Sequence, residues 1–161
     1  MMTEGANVFM CRIAQDYGKM LLNLAYSRLG SREDAEDCVQ EVFVTLLEKQ
    51  PVFRNPTHEK AWLIRATINR AANMRAKTAG RFLPLEEVPE QAALEEGNLL
   101  SAVRALPDQY AAPIHLHYYE GYSLKEIAKL LGLPVATVGT RLARGKAKLR
   151  EMLKGEYDGL E

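Results

Sequence analysis

Residues 120–149, EGYSLKEIAKLLGLPVATVGTRLARGKAKL, can fold in few ways. Leu124, Ile127, Ala128 and Leu131 recur at helical spacing, Gly132 interrupts them, and a second periodic run begins at Val135. Ser123 followed by Glu126 has the spacing of a reciprocal N-terminal cap, in which side chain and backbone satisfy two orphan donors. Gly132 can take the left-handed conformation that ends a helix, and Pro134, its φ already fixed, suits the first turn of the next. The stretch therefore predicts a helix-turn-helix.

In the second of these helices Val135, Val138, Leu142, Gly145, Leu149 and Met152 trace one stripe, expected to pack inward. Thr137, Arg141, Arg144 and Lys148 trace another about half a turn away. Hydroxyls and arginines on a helix held across a tight turn suit the major groove of duplex DNA. An ordinary helical hairpin with solvated charges has the same local pattern, so the rest of the chain has to decide.

Formal net charge is zero over 161 residues, which alone argues against a nucleic-acid binder. The average hides a division. Residues 100–150 carry eight Lys and Arg against three acids, a local net charge of +5. Residues 80–98 reverse it, with Arg81 facing Glu86, Glu87, Glu90, Glu95 and Glu96. That segment also contains Gly80, Pro84, Pro89 and Gly97 and few large apolar residues, so it reads as an acidic linker, with room for a short helix at residues 90–96.

The part before the linker is helical in pattern. From residue 16, Tyr17, Leu21, Leu24, Ala25 and Leu29 share a face that Gly30 closes. Ser31 starts another helix, with Glu33, Asp34, Glu36 and Asp37 favourably placed at the positive end of its dipole. Ala35, Cys38, Val39, Val42, Phe43, Leu46 and Leu47 make its buried stripe, leaving Asp37, Gln40, Glu41 and Thr45 outside. Such an acidic face repels phosphates and suits a basic protein partner. A loop with Phe53, Arg54 and Asn55 leads to a third helix, residues 57–77, with Ala61, Ile64, Ile68, Ala71 and Ala72 facing in. Its other side carries Trp62, Arg65, Asn69 and Asn73, with Arg70, Arg75 and Lys77 nearby. An aromatic interleaved with arginines and amides suits unstacked bases and phosphates; a core tryptophan among solvated charges is the competing explanation.

After the linker, Leu99, Leu100, Val103 and Leu106 form a helix ended by Pro107, and residues 108–119 form the next. Pro113 lies inside that second pattern, so the helix is kinked there or starts later. Cys11 and Cys38 are too few and unpatterned for a disulfide framework or zinc site. No apolar run approaches a bilayer span and the N-terminus lacks signal-peptide architecture, so a reduced, cytoplasmic protein without membrane insertion is expected.

Three blocks then occur in order across the linker: LGSREDAEDCVQEVFVTLLEK, AWLIRATINRAANMRAK, and LPDQYAAPIHLHYYEGYSLKEIAKLLGLPVATVGTRLARGKAKLREML. Together they resemble a bacterial sigma factor of the extracytoplasmic-function group within the sigma-70 family. The resemblance implies an all-α fold of two small helical domains, regions two and four: residues 1–78, a linker at 79–98, and residues 99–161. It implies a non-enzymatic protein without metal or cofactor, which binds core RNA polymerase and promoter DNA and is itself bound by an anti-sigma factor.

Carried onto this sequence, Asp34, Asp37, Gln40 and Glu41 correspond to the polymerase-docking segment. Phe53, Arg54, Asn55, Trp62, Arg65, Asn69 and Asn73 correspond to the segment that melts and reads the minus-ten element. Ser123, Pro134, Ala136, Thr137, Thr140, Arg141, Arg144 and Lys148 correspond to the reader of the minus-thirty-five duplex. Gly139 stands where the family commonly has lysine, Gly145 where it tends to have alanine, and Asn73 replaces a common aspartate. Each glycine costs roughly 1 kcal/mol of helix stability, so weakened or altered promoter affinity is expected. Two rivals compete with this reading: a DNA-binding regulator that never joins polymerase, which leaves the Trp62 helix without a role, and a metal protein using His115, His117 and Cys38. Alternating histidines on a helix point to different sides, which disfavours the second.

Overall fold

The computed structural model describes residues 4–80 and 98–157. All elements among the described residues are helical: α1 (Glu4–Leu29), α2 (Arg32–Lys49), α3 (Pro56–Gly80), α4 (Asn98–Ala105), α5 (Asp108–Ile114), a π-helical turn (His115–Tyr119), α6 (Leu124–Leu131) and α7 (Val135–Tyr157). The expected all-α fold is thus present, with both α1 and α3 longer than their apolar periodicity alone predicts. Most of the acidic linker, including the short helix expected at residues 90–96, lies outside the described residues.

Each boundary has a local cause. Gly30 leaves α1 at φ +74° with its N–H on the Tyr26 carbonyl (2.9 Å). Ser31 caps α2 by accepting the Asp34 N–H, and Gln50, ahead of Pro51, takes the left-handed conformation (φ 44°) to close it. Asn55 Oδ1 accepts the His58 N–H (2.8 Å) at the start of α3.

Ile13, Tyr17, Leu21, Leu24 and Ala25 of α1 pack against Ala35, Cys38, Val39, Val42 and Leu46 of α2 and Ala61, Leu63, Ile64 and Ala71 of α3. Phe43, Leu47, Ile68 and Ala72 are only half-buried, whereas Leu63 and Thr67, which the periodicity left outside, are fully enclosed. α1 is further tied to α3 through Glu59, whose carboxylate accepts both terminal nitrogens of Arg12 (2.9 and 2.8 Å) and the Tyr17 hydroxyl (2.9 Å). The Arg12 hydrogen bonds hold the Glu59 carboxyl below its ordinary range.

In the second domain the helix expected across residues 108–119 changes type after Pro113. Proline has no N–H to donate back along the helix, and the following turn widens so that Glu120 N–H reaches the His115 carbonyl (3.2 Å). The wide turn carries His115 into the interior, 3% exposed, with Nε2 3.2 Å from Glu120 Oε1. Burial, with a smaller contribution from the Arg28 charge, pushes the imidazole down to about 4. Its folded value lies below its unfolded one, so stability is full above about pH 6.5 and falls by roughly 3 kcal/mol towards pH 4, as the unfolded chain takes up the proton first. Glu120, held up by its own burial, acts in the opposite sense. Urea unfolding at pH 7.5 and 5.0 should therefore cost the natural chain about 2 kcal/mol more than His115→Gln. Parallel losses in the two proteins would rule out this assignment.

The two domains are not independent bodies. Their buried residues form one cluster running from Ile13 and Leu24 to Leu106, Leu116 and Ile127, and α6 packs directly on α3. Arg28, at the end of α1 and 3% exposed, pairs with Asp108 (2.7 Å). Burial, with the Arg75 charge adding to it, lowers the Arg28 guanidinium from its ordinary range, while Asp108 pulls it back.

Candidate nucleic-acid interface

The helix-turn-helix forms as its sequence predicts. Ser123 Oγ accepts the Glu126 N–H (3.1 Å), and Glu126 Oε1 accepts the Ser123 N–H (3.0 Å). Gly132 closes α6 at φ +68°, and Leu133 N–H reaches back to the Ala128 carbonyl (2.9 Å). Pro134 then precedes α7.

Along α7, Val138, Leu142 and Gly145 are buried. The ends of the expected inward stripe are not: Val135 and Met152 are each 44% exposed. Pro134, Ala136, Thr140, Arg144 and Lys148 lie exposed, and Thr137 and Arg141 are half-buried. Thr140 Oγ1 donates to the Ala136 carbonyl (3.0 Å), and Lys148 Nζ sits 5.7 Å from the Tyr110 ring centroid. The Ser123 oxygen is engaged in its cap, leaving its hydroxyl hydrogen as the group free to turn towards a phosphate.

Neither Gly139 nor Gly145 lies where a Cβ would point freely outward. A Cβ at Gly145 would fall 3.0 Å from Ile114 Cγ1 and 3.4 Å from Tyr110 Cβ, so its absence is what lets α7 close on α5. A Cβ at Gly139 would meet only Leu124 Cδ2, at an ordinary 3.7 Å. Opposite outcomes follow for one substitution. Gly139→Ala is expected to raise unfolding stability by about 0.5–1 kcal/mol through helix propensity. Gly145→Ala is expected to lower it by about 1–3 kcal/mol through overpacking. Thermal melts of the two variants check both; a shared sign would refute the packing difference.

A second surface lies between α2 and α3. There Trp62, Arg65, Asn69 and Asn73 line a cavity of about 440 Å³ together with Glu41 and His58. These four residues lie a helical turn apart along α3, so one stripe serves one cavity. Phe53 stands edge-on to two of these lining residues, Trp62 (6.1 Å) and His58 (5.5 Å). Arg54 is exposed, with its backbone N–H donating to His58 Nδ1, and Asn55 is occupied as the cap of α3. Arg65 behaves differently from its neighbours, since Nε donates to the Leu130 carbonyl (2.8 Å) and Nη2 to that of Lys129 (3.2 Å). His58 escaped the sequence reading because it sits one turn before Trp62 and has no partner of its own kind there; the i, i+4 spacing was the available signal.

Asp34, Asp37, Gln40 and Glu41 are all exposed on α2, so this acidic face is continuous with the cavity through Glu41. The residues of the metal rival are each held separately: His115 by Glu120, His117 Nδ1 by the Tyr122 carbonyl (2.8 Å), and Cys38 Sγ by the Thr67 carbonyl (3.7 Å). Burial also pushes the Cys38 thiol up to about 11, so it is not a ready thiolate. Among the described residues no helix is long and apolar enough to cross a membrane.

Comparison with known proteins gives concordant matches. Residues 13–81 match the family model for Sigma-70 region 2, and residues 96–149 that for Sigma-70, region 4. The chain is 31% identical over 163 residues to the ECF RNA polymerase sigma factor SigW of Bacillus subtilis, covering 88% of this chain and 87% of that one. It is 30% identical over 155 residues to the ECF RNA polymerase sigma factor SigE of Mycolicibacterium smegmatis, covering 88% of this chain and 60% of that one. In fold it is similar to the sigma factor RpoE solved in complex with the anti-sigma factor NepR from Bartonella quintana. There the TM-score is 0.68 and the identity 21%, with 91% of this chain and 98% of that one covered.

Proposed function

Because the chain belongs to the sigma-70 family, as a member of its extracytoplasmic-function group, we propose that it joins core RNA polymerase and directs promoter recognition and opening. Residues 1–78 dock on the polymerase and read the minus-ten element, residues 79–98 link, and residues 99–161 read the minus-thirty-five duplex. The protein works in the cytoplasm, carries out no covalent chemistry itself, and is held in check by an anti-sigma factor of the kind its structural neighbour binds.

The single observation that carries the reading is the cavity between α2 and α3. A rival regulator needs only the helix-turn-helix, whereas a cavity lined by Trp62, itself backed by Phe53, and by Asn69 and Asn73 is suited to bases already out of the stack. Docking uses Asp34, Asp37, Gln40 and Glu41, which present charge and amides without phosphate affinity. Duplex reading uses Arg141, Arg144 and Lys148 for phosphates, with Ser123, Pro134, Ala136, Thr137 and Thr140 along the same face.

Arg141 gives a direct test. Arg141→Ala should weaken duplex binding and reduce the slope of log affinity against log salt by about 0.9, one phosphate's worth. An unchanged slope across a salt series would remove Arg141 from the interface.

A further inference from the structure

Where the loop enters α3, its residues and the first helical turn clasp one another. Asn55 Oδ1 accepts the His58 N–H (2.8 Å), and His58 Nδ1 in return accepts the Arg54 N–H (3.1 Å). Phe53 stands edge-on to the imidazole, its ring plane at 89° and the centroids 5.5 Å apart. Although His58 is exposed, two consecutive loop residues therefore hold its ring on one side before any ligand arrives.

An imidazole nitrogen that accepts an N–H carries no proton of its own. The His58 ring is thus neutral, with its one proton on Nε2. Nε2 has no hydrogen-bond partner among the described residues, and His58 lines the cavity between α2 and α3. What the side chain has left to offer a ligand there is a single N–H donor.

The other polar groups of the cavity divide differently. Lys49 and Arg70 carry positive charge, which suits phosphates, and Arg65 is occupied by the Leu130 and Lys129 carbonyls. Asn69 and Asn73 can turn either end of their amides to a ligand. His58 is uncharged, held in place and able only to donate. It also lies one helical turn before Trp62, and Phe53 meets both rings edge-on. A base laid on the Trp62 face brings its rim, where its acceptor atoms are, towards the neighbouring imidazole.

We infer that His58 is a base-reading residue, donating from Nε2 to a carbonyl oxygen or ring nitrogen on the rim of an unstacked base held against Trp62. That the base comes from a promoter strand rests on the promoter-recognition reading above; the orientation of the imidazole does not.

Two substitutions separate base reading from support of the loop. In His58→Asn the shorter amide can keep Oδ1 on the Arg54 N–H but cannot reach the Nε2 position. In His58→Gln the longer amide carries an N–H to that position and lets the loop bond go. The probes are a fluorescein-labelled thymidine dodecamer and the same strand with every thymine replaced by 2,4-difluorotoluene, which keeps the shape and the phosphates but lacks the carbonyl acceptors. A homopolymer offers one base in every register, so no promoter sequence is needed.

Anisotropy is measured with the full chain at low salt. The natural protein and His58→Gln should prefer the thymidine strand at least about threefold more strongly than His58→Asn does. A preference that His58→Asn keeps overturns the assignment, and so does one that His58→Gln loses. Equal weakening of both strands in His58→Asn would make the contact a phosphate one and overturn base reading, as would a natural chain that binds neither strand. Transcription from genomic DNA with core polymerase, measured in parallel, reports on promoter recognition alone: its absence beside a confirmed thymidine preference would remove that reading and keep His58 as a reader of single strands.

Discussion

Reversing Asp37 and Glu41 together to lysine is expected to reduce binding to core RNA polymerase at least about 100-fold, near 3 kcal/mol, with the fold retained. Both side chains are exposed on α2, one helical turn apart, and neither packs in the core. A lysine at 37 forfeits only a few tenths of a kcal/mol of helix-dipole interaction, so the stability change should be small beside the binding loss. Gel filtration of the variant with core polymerase reads the outcome. A complex that still co-elutes would move the docking surface away from this face.

The second large effect is expected at Trp62. Trp62→Ala should lower promoter opening by about 10- to 100-fold, in line with the roughly 1–3 kcal/mol that one base–aromatic stack contributes. Binding of the duplex element through α7 should persist. Part of any loss could come from folding, since Trp62 packs on the core and against Phe53, so Trp62→Phe is the needed companion. Phenylalanine keeps a stacking face and should recover most of the opening. Permanganate reactivity of unpaired thymines measures it; equal opening in all three proteins would leave the cavity without its assigned role.

How far the sequence was legible varied with the range of the interaction. The capping box of Ser123 and Glu126, the left-handed Gly132 and the buried Ala35, Cys38, Val39, Val42 and Leu46 of α2 depend on neighbours within a few residues, and these formed as the pattern predicts. The cavity stripe of Trp62, Arg65, Asn69 and Asn73 was legible for the same reason, because helical spacing alone puts the four on one side. Two effects of intermediate range were read less well. Pro113 signalled a disturbance but not its form, a π-helical turn that carries His115 inward. Gly145 falls on the inward stripe as its spacing predicts, but the spacing did not show that its missing Cβ is what lets α7 close on Ile114 and Tyr110.

Arg28 is the case where the sequence carried no signal. A basic residue in the last turn of a helix is ordinarily solvated and favourably placed against the dipole, and nothing local marks this one as buried. Its partners stand 75 to 80 residues away, across the linker. By itself, then, the sequence determined the helices, their caps, and which side chains share a face, since these follow from periodicity and from hydrogen bonds within a turn. Only the tertiary structure decided how the two domains meet, and therefore that Arg65 of the α2–α3 cavity is held by the end of α6. That choice is made by helix-end carbonyls and guanidinium groups far apart in the chain, whose pairing no local pattern encodes.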